Sequence, residues 1–156
     1  MKYRRLSKEQ FEELHKEFIN FLATQSITAD EWTNLKANRP ELAEQELDMF
    51  SDLIWEGVLG QVEYIEHFSP QQLHMFHLGE DNMHVIAIKI NDDSINLHTT
   101  EGYTWLKENL LNDAVEFFNA TKEYSKEPLS DKFNLIEQGG NITKGELYNY
   151  FKKLIG

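Results

Sequence analysis

The chain has 156 residues, a length that suits one domain, and carries 27 acidic against 15 basic side chains for a formal net charge of -12. A field of that sign repels phosphate backbones and anionic bilayers, so neither nucleic acid nor a membrane surface is an expected partner. There is no cysteine, which removes disulfides and thiolate chemistry and fits a reducing compartment.

No run approaches the roughly 18 apolar residues of a membrane span. The first residues carry Lys2, Arg4 and Arg5 but no apolar block before Ser7, so a secretory signal is not expected and the reading is a cytoplasmic protein. That basic cluster is too short to reverse the charge of the chain.

Ser7 with Gln10 forms a capping-box pattern that opens a first helix, with Phe11, Leu14, Phe18, Phe21 and Leu22 as its apolar stripe. Thr28 with Glu31 repeats the pattern before a short helix carrying Trp32 and Leu35. Pro40 suits the first position of the next helix, where its missing amide costs nothing. Over residues 40–59, Ala43, Leu47, Phe50, Ile54 and Val58 recur at helical spacing, and Leu42, Met49 and Leu53 widen the stripe. This broad apolar face predicts the spine of the fold, with Gly57 and Gly60 at its frayed end. Its opposite side carries Glu44, Asp48, Asp52 and Glu56, each four residues after the last.

From Val62 the pattern changes to β-formers. Residues 72–78 and 83–90 are apolar runs separated by Gly79, Glu80, Asp81 and Asn82, a hairpin signal. Pairing Leu78 with Met83 places His77 opposite His84 and leaves both faces largely apolar, so the hairpin is expected to be central or covered on both sides. An uncovered face would instead favour a homodimer. A third strand over residues 62–68 completes a small antiparallel sheet. Thr100 is read as the cap of a further helix. Residues 114–124 read either as helix or as strand, with helix favoured. Residues 132–138 form a short helix stopped by Gly139 and Gly140, and Thr143 with Glu146 is a capping box for the last helix. The expected fold is a helix-rich α+β single domain, with helices over 7–59, about three strands over 62–90, and helices over 100–155.

The opening MKYRRLSKEQFEELHKEFINFLATQSITADEW, the middle FSDLIWEGVLGQVEYIEHFS and the ending ITKGELYNYF resemble a family of small acidic bacterial proteins of unknown function. The resemblance implies a bacterial cytosolic protein and brings no activity, cofactor or site residue with it.

Three features invite a functional reading. Like charges four apart on a helix cost a few tenths of a kcal/mol per pair. The ladder of Glu44, Asp48, Asp52 and Glu56 is therefore a candidate docking face for a basic protein partner, with Trp55 and Leu59 as apolar anchors. It also reads as the solvated face of an acidic protein. His77 and His84, opposed across the hairpin, are candidate ligands for a divalent metal such as zinc, with Glu63 or Glu66 as the carboxylate. The competing reading is a pair of ordinary strand histidines. The GGNITKGEL segment matches the end of an EF-hand loop, but Leu135 and Gly139 stand where oxygen ligands are needed, so a capped helical corner is expected. No nucleophile elbow, P-loop or dinucleotide fingerprint is present. The leading expectation is a non-catalytic interaction or accessory protein that needs no cofactor, and the alternative is a metal-binding protein or metal-dependent hydrolase centred on the hairpin.

Overall fold

The computed structural model describes residues 1–156. The chain divides into two compact units, Met1–Gly60 and Gln61–Gly156.

The first unit is helical: α1 (Lys8–Glu13), α2 (His15–Thr24), α3 (Ala29–Asn38) and α4 (Pro40–Gln61). The first capping box forms in full. Ser7 Oγ accepts from the Gln10 amide at 3.2 Å, and Gln10 Oε1 accepts from the Ser7 amide at 2.8 Å. The expected single first helix is two, because Leu14 leaves helical geometry with φ -99° and ψ 24°. Across this bend the Phe11 and Phe18 rings meet edge-on at 5.8 Å. Phe18 also meets Trp32 at 5.2 Å and Phe50 at 5.1 Å. Leu6, Phe18, Leu22 and Phe50 are the buried centre of this unit. Edge-to-face aromatic contacts of this kind add roughly 0.5–1.5 kcal/mol each beyond the area they bury. Pro40 opens α4 as expected, and the helix runs through Gly57 and Gly60 to Gln61.

The second unit is an antiparallel sheet with helices. Its strands are β1 (Tyr64–Ser69), β2 (Gln72–Leu78), β3 (Asn82–Ile90), β4 (Val115–Glu123) and β5 (Asn141–Thr143), in the order β4-β3-β2-β1-β5. Its helices are α5 (Thr100–Glu108), α6 (Pro128–Glu137) and α7 (Glu146–Ile155). The class is α+β as expected, with five strands in place of about three. The three strands of the 62–90 region form, and the hairpin has the expected register, Leu78 opposite Met83 and His77 opposite His84.

Two segments depart from the sequence reading. Residues 114–124, favoured as helix, contain β4, which pairs with β3 along its whole length from Asn82 and Glu123 to Ile90 and Val115. Val115 and Phe117 turn to the face of Ile90 and Ile88 and join that core, while Phe118 points the other way and is 51% exposed. The segment thus follows the two-residue period of a strand. The Asn141–Thr143 stretch, read as part of a helical corner, is β5 at the far edge beside β1. Gly140 permits this approach: a Cβ there would stand 2.5 Å from Ile65 Cγ2 and 2.7 Å from the Leu135 carbonyl. Thr143 does not cap α7 directly. Gly145, at φ 82°, is the N-cap, and the Thr143 hydroxyl accepts from its amide at 3.1 Å. At α5 the cap is Thr99 rather than Thr100.

Helices cover both faces of the sheet, which explains why both hairpin faces are apolar. On one face Leu73, Met75, Ile86, Ile88 and Ile90 pack with Leu106 of α5 and with Tyr148 and Phe151 of α7. On the other, Val62, Ile65 and Leu78 pack with Leu135 and Ile136 of α6. No helix is long and apolar enough to cross a membrane.

Gly57 is exposed inside α4, and nothing lies within 4 Å of the place its Cβ would take. Gly57→Ala is expected to raise stability by about 0.5–1 kcal/mol, because alanine has less backbone freedom to lose on folding. Urea titration checks this, and an unchanged or lower midpoint would contradict a regular helix at this position.

Candidate functional site

The acidic ladder of α4 forms as expected, and the chain's own first residues lie along it. Residues 2–6 run against the direction of α4. Asp52 accepts from the backbone amides of Lys2 at 2.7 Å and Tyr3 at 2.9 Å. Arg5 Nε donates to Asp48 Oδ1 at 2.8 Å, its Nη2 lies 2.7 Å from the same oxygen, and its Nη1 pairs with Glu44. Lys2 Nζ is 3.7 Å from Glu56. Trp55 Nε1 donates to the Arg4 carbonyl at 3.1 Å, and the Arg4 guanidinium lies 5.1 Å from the Trp55 ring centroid. The Leu6 amide donates to Ser51 Oγ at 3.1 Å, and that fully buried hydroxyl donates on to the Leu47 carbonyl at 2.8 Å.

Glu44, Asp48, Asp52, Trp55 and Glu56 are therefore brought together as one surface, and each engages residues 2–5. Leu59 is not part of it, because it is fully buried. The guanidinium of Arg5 is held above its ordinary pKa, first by the hydrogen bond it donates to Asp48 and then by Glu44. The signal for this contact was in the sequence: Lys2, Arg4 and Arg5 are the one basic cluster of an acidic chain, and α4 carries its matching row of carboxylates.

The hairpin histidines are placed by register and are half-buried beside tyrosines. The His77 ring lies nearly parallel to Tyr64, with centroids 4.9 Å apart, and 5.5 Å from Tyr148. His84 Nδ1 is 2.5 Å from the Tyr148 hydroxyl. Tyr148 is 2% exposed, and burial, with Tyr64 nearby, pushes its phenol above the usual range. Glu66, one of the expected carboxylate partners, stands opposite Met75 rather than His77. No group of three or more His, Cys, Asp or Glu side chains is placed to hold a metal ion. His77 and His84 lie in an aromatic cluster in which the Tyr148 hydroxyl hydrogen-bonds His84 and the Tyr64 ring stacks on His77.

A second opposed pair was missed from the sequence. His67 faces His74 across β1 and β2, in a register set by the short turn at Pro70 and Gln71. His74 Nδ1 is buried without a hydrogen-bond partner. Its imidazole is held below the ordinary value of 6.5, first by burial and then by the neighbouring His67.

Fold and surface together define an α+β protein with an intramolecularly occupied acidic helix face. The model of a family of unknown function (DUF6495) matches residues 1–156, and the chain belongs to that family. Neither the curated proteins nor the solved structures give a match.

The depressed His74 value has a definite sign in stability. Between the folded value and 6.5 the unfolded chain binds more protons than the native one, so stability falls as pH falls through that window. Glu66 acts with the opposite sign, since burial and then Glu146 raise its carboxyl above 4.5. His74→Gln is expected to flatten the loss of melting temperature between about pH 7 and about pH 5. An identical pH slope in the variant would show that His74 does not titrate out of step with the unfolded chain.

Proposed function

We propose that this protein is a non-catalytic interaction protein that recognises a basic, extended segment of a protein partner through Glu44, Asp48, Asp52, Trp55 and Glu56 of α4. The observation that supports this reading is the lie of residues 2–5 on that face. Carboxylates spaced one helical turn apart take a guanidinium, an ammonium and two backbone amides, and the indole takes a carbonyl and a second guanidinium. These are the contacts an extended basic peptide needs, with main-chain and side-chain groups both engaged. A partner segment of the same chemistry competes with residues 2–5 for the face. The cytoplasmic setting implied by the sequence resemblance belongs to this proposal.

The magnitudes favour exchange over permanent closure. Exposed ion pairs contribute about 0–1 kcal/mol each and weaken with salt. Arg5, Glu44 and Glu56 are all solvent-exposed. A partner that supplies a few more contacts than residues 2–5 can displace them.

The test uses a synthetic peptide of sequence KYRRL and a full-length variant in which Lys2, Arg4 and Arg5 are all serine. The variant is expected to bind the peptide with an affinity that falls as salt rises, and wild type about tenfold more weakly because its own residues compete. Adding Asp48→Lys and Asp52→Lys to the variant should abolish binding. Failure of the triple-serine variant to bind, with its helical circular dichroism intact, would overturn the proposal.

A further inference from the structure

We infer that the first unit holds a second binding site: a groove lined by α1, α2 and α3, with Arg5, Leu6 and, from α4, Leu47 at its border, for an amphipathic carboxylate, of which a medium-chain fatty-acid anion is the fitting class. The groove encloses about 710 Å³, within the roughly 300–1,000 Å³ of small-molecule pockets. Its wall is apolar and aromatic, built from Phe11, Phe18, Leu22, Ile27 and Trp32. Ile19 also lines it and remains 48% exposed, as costly apolar surface that a ligand would cover. Arg5, Leu6 and Leu47 also line the groove, so it adjoins the acidic face of α4 through Arg5.

The charge at the rim selects the headgroup. In a chain of net charge -12, the charged side chains lining this groove are mostly cationic: Arg5, Lys8 and Lys36, with His15 beside them and Glu12 as the opposing carboxylate. Arg5 is already committed to Glu44 and Asp48. Recognition of an anionic headgroup therefore falls to Lys8 and Lys36. The Lys36 ammonium lies 5.7 Å from the Trp32 ring centroid, so a cation stands directly over the apolar wall. An acyl chain against the Phe18 and Trp32 rings, with its carboxylate toward the Lys36 ammonium beside Trp32, satisfies both halves of the groove. A cationic amphiphile would meet the wrong sign at the rim, although the protein as a whole attracts cations.

The test is calorimetric titration of the full chain with dodecanoate below its micellar concentration, with dodecanol and dodecyltrimethylammonium as controls. Saturable one-to-one binding of dodecanoate is expected, with amide shifts confined to the groove-lining residues of the first unit. Lys8→Glu with Lys36→Glu should weaken dodecanoate about tenfold or more while changing dodecanol about twofold at most. Both lysines are exposed, so this variant is expected to fold, and Ile19→Asp should remove binding of both probes. Three results would each overturn the inference. They are no saturable binding of dodecanoate, equal or tighter binding of the ammonium probe, and a doubled mass in solution that Ile19→Asp abolishes, which would make the groove an interface between copies.

Discussion

A slip of one residue in the pairing of β2 with β3 would exchange the two faces of the sheet, and the second unit depends on its not happening. In the observed register Leu73, Met75, Ile86 and Ile88 turn together to the face that α5 and α7 cover. The same alternation places Leu78 with Ile65 and Val62 under α6. Each face has its own helical cover, so a slipped pairing would misplace the contents of both. The two histidine pairs follow from the same constraint, His77 with His84 on one face and His67 with His74 on the other. Their different surroundings then separate their chemistry. Tyr148 hydrogen-bonds one pair, while the other leaves a buried ring nitrogen without a partner.

The first unit has a different balance. A chain of about 60 residues buries only about 60% of the surface it exposes when unfolded, and here the aromatic rings around Phe18 and Phe50 supply much of the packing. What the core leaves over is apparent as the groove beside Trp32 and as exposed Ile19, Met49 and Leu53. A small helical unit with surplus apolar surface is suited to binding, because the surface it cannot bury alone is available to something else.

The ladder on α4 concentrates negative charge against a cost of a few tenths of a kcal/mol for each neighbouring pair. Residues 2–5 offset that cost with contacts of similar size. The two Asp52 hydrogen bonds to backbone amides and the Trp55 contact to the Arg4 carbonyl add to the ion pairs. Ser51 differs from the carboxylates in its burial. It is fully buried and holds the amide of Leu6, the first buried residue of the chain.

Amphipathic period and capping chemistry are local properties, and they sufficed for α4, for the box at Ser7 and Gln10, and for the hairpin register with its His77 and His84 pair. The acidic face was legible for the same reason, as a repeat of four along one helix. Contacts between distant segments decided the rest. Residues 115–123 become strand because β3 offers a free edge along their whole length, a partner that no local pattern reveals. Gly140 reads as helix punctuation, yet its small size serves the approach of β5 to β1, and Gly145 likewise leaves room for the Tyr64 ring. The occupant of the acidic face lies about 40 to 50 positions away in the chain. Sequence alone determined that α4 would present a row of carboxylates, because charge and helical period are written in adjacent residues. Only the tertiary structure decided what they hold, because ion pairing depends on which distant segment folding brings within reach.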